Sequence, residues 1–172
     1  MKRDVELREF VATRGAALSR AAYLLTGDHH AAEDLVQETY VVMVRRWKRI
    51  DKVDPEPYVR RILYSRFVDG WRRRRFLELP WSAAADTAGW DEESVSADRL
   101  TLAQALLQLT PRQRAVLVLR FYEDLTEVQA ALALDVSTST VKSQTRVALQ
   151  RLRDLAPDAV ASFAVPAEEV AD

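Results

Sequence analysis

The sequence predicts an all-α protein of two small helical domains joined by an acidic linker, and three observations lead there. Four Gly and six Pro in 172 residues are too few for the many tight turns of a β-sandwich or barrel. Ala, Leu, Arg and Glu, all good helix formers, fill the chain. Apolar residues recur at three-, four- and seven-residue steps, the helical period. With 48% hydrophobic and 30% charged residues, the composition is that of a folded domain under a charged surface.

The elements follow in order. Leu7, Val11, Leu18, Ala22 and Leu25 mark a first helix from about Val5 to Leu25. Thr26-Gly27-Asp28 ends it, Asp28 is placed to cap a second, and the pattern then runs from Ala31 to about Arg49. Pro55 suits the first position of a third helix that continues into Arg72-Arg73-Arg74-Arg75. Residues 78–98, ELPWSAAADTAGWDEESVSAD, lose the periodicity and read as a linker. Beyond it come a helix Arg99–Leu109, a Thr110-Pro111 start for a helix Arg112–Tyr122, and Thr126 with Gln129 at capping-box spacing before a short helix. Asp135-Val136 turns the chain, and Ser137 caps a last helix ending near Leu155. Residues 157–172 read as a frayed acidic tail.

Composition narrows the chemistry. The chain has no Cys and only His29 and His30 as imidazoles, so no disulfide framework, thiolate nucleophile, cofactor or structural metal is expected. The start MKRDVELREF is charged throughout, and no window nears eighteen uninterrupted apolar residues. The expectation is a cytoplasmic protein without membrane insertion. A net charge of −1 hides a segregation: residues 1–77 hold 17 Lys/Arg against 11 Asp/Glu, 78–98 none against 6, 99–156 8 against 5, and 157–172 none against 4. Two basic modules around an acidic connector suit a polyanionic partner, whereas uneven but inert surface charge is the plainer account.

The last two helices carry the sharpest signal. A short helix, a turn of about three residues and a helix with a polar N-terminal half make a helix-turn-helix, whose second helix enters the DNA major groove. Turning about 100° per residue, that helix sets Val141, Ala148, Leu152 and Leu155 on an inward arc. Ser139, Lys142, Ser143, Arg146, Gln150 and Arg153 fall on the opposite arc, which has donors and positive charge but no carboxylate. Base edges and phosphates need such donors. In the second helix Val36, Tyr40, Met43, Val44 and Trp47 share a buried side, with Asp34, Gln37, Glu38 and Val41 opposite. In the third, Val59, Ile62, Leu63 and Phe67 face the core, while Arg60, Tyr64 and Trp71 cluster elsewhere with Arg61 nearby. Cations beside rings suit single-stranded DNA, though aromatics also cover core edges.

LTPRQRAVLVLRFYEDL followed by LTEVQAALALDVSTSTVKSQTRVALQRLR resembles region 4 of sigma-70-family transcription initiation factors. AAEDLVQETYVVMVRRW and DPEPYVRRILYSRFVDGWRRRR resemble region 2. Together, with no room for further regions, the chain is similar to the extracytoplasmic-function (ECF) sigma factors, of the actinobacterial sigma-E type. The resemblance implies a region 2 module over 1–77, a linker over 78–98 and a region 4 module over 99–156. It implies −35 recognition by Ser137, Ser139, Thr140, Lys142, Ser143, Arg146 and Gln150. For −10 recognition and melting it implies Arg60, Arg61, Tyr64, Ser65, Trp71, Arg72 and Arg73. Asp34, Gln37, Glu38 and Val41 would dock on core RNA polymerase. The implied partners are the polymerase's β′ clamp helices and β flap, promoter DNA and an anti-sigma factor, with all chemistry left to the polymerase. Two positions depart from the pattern: Ser65 stands where relatives carry Asn, and Asp135 where the turn often has Gly. Rival readings are a response-regulator-type activator, which would need parallel strands, and a metal-dependent hydrolase using Asp34 and Glu38, which lacks a third inward carboxylate. A structural helical adaptor is a third, but leaves the acid-free face unexplained.

Overall fold

A computed structural model describes residues 2–50, 54–76 and 97–158, and among them none lies in a β-strand. Helix α1 (Lys2–Thr26) turns back at Gly27 into α2 (His29–Arg46), which tightens into a 3₁₀ turn, Trp47–Arg49. Gly27 has φ 71°, and Asp28 caps α2 by accepting the Ala31 N–H at 2.7 Å. Helix α3 (Glu56–Phe76) begins one residue later than Pro55 suggests. The Pro55 carbonyl accepts from Val59 N at 3.1 Å, and the Asp54 carboxylate accepts from Glu56 N at 3.3 Å. Phe10, Met43, Trp47, Ile50, Val59 and Ile62 close the core of these three helices at one end. Each such side chain, fully buried, stabilises by about 1.5–3 kcal/mol.

The second half comprises α4 (Ala97–Leu107), α5 (Pro111–Leu117), α6 (Glu127–Leu134) and α7 (Thr138–Leu155). Thr110 and Gln113 form a reciprocal capping box at α5, and Thr126 and Gln129 form one at α6. The expected single helix 112–122 changes pitch instead: α5 runs into a π-helical turn, Val118–Tyr122. There Glu123 N bonds Val118 O at 2.9 Å and Leu125 N bonds Leu119 O at 3.0 Å. Asp135 takes the left-handed conformation at φ 56°, a shape that short polar side chains tolerate better than most.

The two halves share one core. Leu25, Leu35 and Leu63 of the first pack with Val116, Leu119, Ala130 and Val141 of the second, while Leu106, Leu117, Leu149 and Leu152 form a separate cluster within the second half. Helix α4 takes in residues 97–98, which composition assigns to the linker. Residues 77–96, most of that linker, and the tail beyond 158 lie outside the described residues.

Three expectations about facing need correction. Val44 is 54% exposed, because the inward stripe of α2 runs through Leu35, Thr39, Met43 and Trp47 and leaves it at the edge. Leu155 is 36% exposed: the chain turns at Ala156, whose N–H bonds Leu152 O at 2.8 Å, and the buried Ala156 takes the inward place. Tyr64 is fully buried, because the second half packs over the face of α3 that carries it.

Candidate nucleic-acid interface

Ser137 starts α7 by accepting the Thr140 N–H at 3.2 Å, and its Oγ also lies 2.9 Å from Ser139 Oγ and 2.8 Å from Thr140 Oγ1. Val141, Thr145, Ala148, Leu149 and Leu152 are buried. Ser139, Lys142, Ser143, Arg146 and Gln150 are exposed on the other side, and Arg153 is half-buried. Carboxylates reach this arc only at its margins: Glu127 of α6 stands 3.9 Å from Lys142 Nζ, and Asp154 accepts from Gln150 Nε2 at 3.0 Å. The remaining surface offers hydroxyls, an ammonium and a guanidinium, the donors that phosphate and base edges take.

On α3 the expected DNA residues divide. Arg72 and Arg73 are exposed, Ser65 and Trp71 half-buried. The Tyr64 hydroxyl donates to Glu123 Oε1 at 2.6 Å. Burial foremost, then the Glu123 carboxylate, hold the phenol well above its usual 10, so it stays a donor. Arg60 Nε donates to the other Glu123 oxygen, while its Nη2 donates to Glu56 Oε1 at 2.9 Å. Arg14 pairs with the second Glu56 oxygen at 2.8 Å. Arg61 reaches Asp135, at the helix-turn-helix turn, at 2.9 Å. Between α3 and the second half lies a cleft of about 230 Å³, bordered by Ser65 and Arg72 on one side and Arg112, Asp135, Thr140 and Gln144 on the other. On α2, Asp34, Gln37, Glu38 and Val41 share an exposed face, with the exposed Val44 beside them.

Two residues that join the halves escape the sequence reading. Arg114 is buried and donates to Leu106 O at 2.9 Å, to Leu107 O at 2.8 Å, to Leu109 O at 3.2 Å, and across the seam to Leu25 O. Its guanidinium also sits 5.9 Å from the Phe67 ring centroid. Burial lowers its pKa to about 10, so it is charged at neutral pH, set against the negative ends of α1 and α4. An arginine standing directly before the apolar run Ala115–Leu119 could have flagged it. Nothing local marks Glu123, whose partners come from α3. Among the described residues, no group of three or more His, Asp or Glu could hold a metal ion, and no helix is long and apolar enough to cross a membrane.

Residues 10–76 match the family described as Sigma-70 region 2, and residues 105–154 match Sigma-70, region 4. The RNA polymerase sigma-E factor of Streptomyces avermitilis is 38% identical over 151 residues, covering 87% of this chain and 84% of the relative. The chain belongs to the ECF sigma factors of the sigma-70 family. This sigma factor is also 32% identical over 156 residues to the ECF RNA polymerase sigma factor SigL of Mycobacterium tuberculosis, covering 86% of each. Its fold is similar to that of the sigma factor RpoE of Bartonella quintana, solved in complex with the anti-sigma factor NepR. The TM-score is 0.73 at 24% identity, over 88% of this chain and 96% of that one. The region 2 match runs from within α1 through α3, and the region 4 match from the last turn of α4 into α7.

Proposed function

We propose that this sigma factor divides promoter recognition between its two halves, reading the −35 element with α7 and opening the −10 element with α3. The observation that carries the first assignment is the exposed arc Ser139, Lys142, Ser143, Arg146 and Gln150, backed by a buried apolar stripe that holds it rigid. Ser137 and Thr140 begin the same helix, where hydroxyls and N–H groups suit phosphate. Arg61, Ser65, Trp71, Arg72 and Arg73 supply cations and a ring for unpaired DNA, whereas Tyr64 is buried and Arg60 is engaged by Glu56 and Glu123. Asp34, Gln37, Glu38 and Val41 form a polar ring around an apolar contact on α2, suited to the β′ clamp helices. The region 4 half is the candidate for the β flap.

On this reading the polymerase, in the cytoplasm, makes the RNA, and the sigma factor selects where it starts. Since a similar sigma fold has been solved with an anti-sigma factor, a protein of that kind is a candidate regulator here. The decisive experiment is reconstitution with core RNA polymerase on genomic DNA, followed by sequencing of transcript starts. Initiation at sites sharing −35 and −10 sequences supports the assignment, and polymerase-dependent transcripts without a shared upstream motif would sink it.

A further inference from the structure

We propose that residues 159–172 dock back along α7 and cover the start of its DNA face, with Phe163 seated between Val147 and Leu155 and the acids Glu168, Glu169 and Asp172 over the first turns. The inference rests on the reading of α7 as the −35 face.

Ser139, Ser143, Val147, Arg151 and Leu155 follow one another at four-residue spacing, and all five are exposed. Side chains so spaced form one continuous ridge along a helix. The first two belong to the arc assigned to DNA, and the other three do not. Val147 is 48% exposed and Leu155 36%, and the Arg151 guanidinium between them is paired with no carboxylate among the described residues. The arginine stem extends the apolar strip. Such a strip suits a segment that brings apolar side chains first and acids after.

The chain carries that segment at the foot of the ridge. It leaves α7 at Ala156, whose φ of −145° is not helical, and Pro157 has no N–H with which to resume the ladder. After Asp158 come Val160, Phe163 and Val165, then Glu168, Glu169 and Asp172, with no Lys or Arg. Along the helix, Val147 lies about 12 Å and Thr140 about 22 Å back from Leu155, at about 1.5 Å per residue. The stretch from Asp158 spans up to about 17 Å to Phe163 and up to about 34 Å to Glu168. Phe163 therefore reaches the apolar strip, and the acids reach beyond it. There the exposed Lys142 and the N–H groups of the first turn attract carboxylates, and the same groups take phosphate. In the reverse order the acids would lie at the negative end of α7, beside Asp154.

A tethered segment acts at a millimolar effective concentration, so a weak contact is enough to keep the ridge covered. A cover present on about nine chains in ten lowers the apparent affinity for DNA about tenfold. Duplex DNA, with more charges to offer, displaces it.

The chain has no cysteine, so Ala167→Cys accepts a nitroxide beside the acids. In the whole chain the label should broaden the amide signals of Ser143 and Val147, and a saturating random-sequence duplex of about 30 base pairs should sharpen them again. Glu168→Gln with Glu169→Gln and Asp172→Asn removes the acids, and Phe163→Ser removes the anchor while keeping every charge. Each should abolish the broadening and, by anisotropy at low salt, tighten duplex binding by about five- to tenfold. Glu9→Gln, Glu33→Gln and Asp124→Asn together remove as much charge from exposed positions elsewhere, and should alter binding by about twofold at most.

Sharp α7 signals in the labelled chain would overturn the cover. So would broadening that survives saturating duplex, or equal tightening by the two triple variants. With the duplex still shifting α7 amides, those results leave the −35 reading standing. If the duplex binds but shifts no α7 amide, α7 is not the DNA face, and the −35 assignment falls with the cover.

Discussion

Leu107, at the end of α4, lies directly over Gly27, the left-handed turn between α1 and α2. A Cβ built on Gly27 would overlap Leu107 Cδ2 and come within 2.6 Å of Cδ1. The region 4 half is seated on the region 2 half through a residue that has no side chain, and the turn at φ 71° already favours glycine.

Gly27→Ala should therefore destabilise the chain by about 2–4 kcal/mol, combining left-handed strain with overpacking. Urea denaturation followed by circular dichroism measures it. In a Leu107→Ala background the overlap is relieved, and the same substitution should cost only about 1–2 kcal/mol. An equal cost in both backgrounds would show that Leu107 does not rest on this turn.

Arg114→Met keeps the length and apolar stem of the side chain but strips four carbonyls of their donor. Hydrogen bonds to a charged group contribute about 1.5–3 kcal/mol, and a buried carbonyl left unpaired costs more than one that water can reach. A loss of about 2–4 kcal/mol in unfolding free energy is expected, with Arg114→Lys recovering only part, since an ammonium cannot span the fork. Burial lowers the guanidinium pKa, to about 10, below the unfolded value. Any gain in stability from its deprotonation would thus begin only as pH rises through 10. Between pH 6 and 9 the difference between wild type and Arg114→Met should stay flat, and a slope there would implicate another group.

These two contacts show where the sequence is legible and where it is not. Caps written in adjacent residues, Asp28, Thr110 with Gln113, Thr126 with Gln129 and Ser137, are local chemistry, and each can be read from spacing. Val141, Ala148 and Leu152 of the inward stripe of α7 are legible too, because one helix period generates them, whereas Leu155 leaves it where the chain turns at Ala156. The π-helical turn is not, since no Gly or Pro in VLVLRFY marks the extra residue. Nor is the buried side of Tyr64: periodicity sets it apart from the stripe Val59, Ile62, Leu63 and Phe67, but cannot foresee that a second half packs against that side as well. Glu123, an ordinary surface acid in sequence, takes its role from partners 59 and 63 residues away.

Asp135 tests the helix-turn-helix turn itself. Glycine would relieve a left-handed conformation that costs a side chain about 1 kcal/mol, while the Arg61–Asp135 pair, largely exposed on both sides, contributes at most about 1 kcal/mol. The two terms nearly cancel, so Asp135→Gly should shift stability by less than about 0.5 kcal/mol. Asp135→Ala loses the pair and keeps the strain, and should cost up to about 1 kcal/mol. Thermal unfolding of the two variants, in low and high salt, separates the terms, because only the ion pair is screened.

On α2, Asp34→Ala with Gln37→Ala should weaken binding to core RNA polymerase while leaving the fold intact, since both side chains are exposed and surface changes usually alter stability by less than about 0.5 kcal/mol. A pull-down with core enzyme, alongside helicity measurements, is the check. Normal binding with normal helicity would move the docking face away from this part of α2.

The arc on α7 is tested at its centre. Arg146 is exposed, two turns beyond the Ser137 cap, and no carboxylate among the described residues is paired with it; Lys142, by contrast, has Glu127 at 3.9 Å. A guanidinium so placed is available for a bidentate contact with a guanine edge or for a phosphate, and the two uses predict different outcomes. If it reads a base, Arg146→Ala should cost about 1–3 kcal/mol on promoters carrying that base and relax preference at one −35 position, leaving other positions unchanged. If it holds a phosphate, initiation should weaken evenly across a panel of −35 variants, and the salt slope of promoter binding should fall by about one. Initiation rates on that panel, at two salt concentrations and with the same holoenzyme, decide between them. Full activity with an unaltered sequence profile and salt slope would remove this face from promoter recognition, because no other role for an unpaired cation at the middle of an acid-free arc follows from its surroundings.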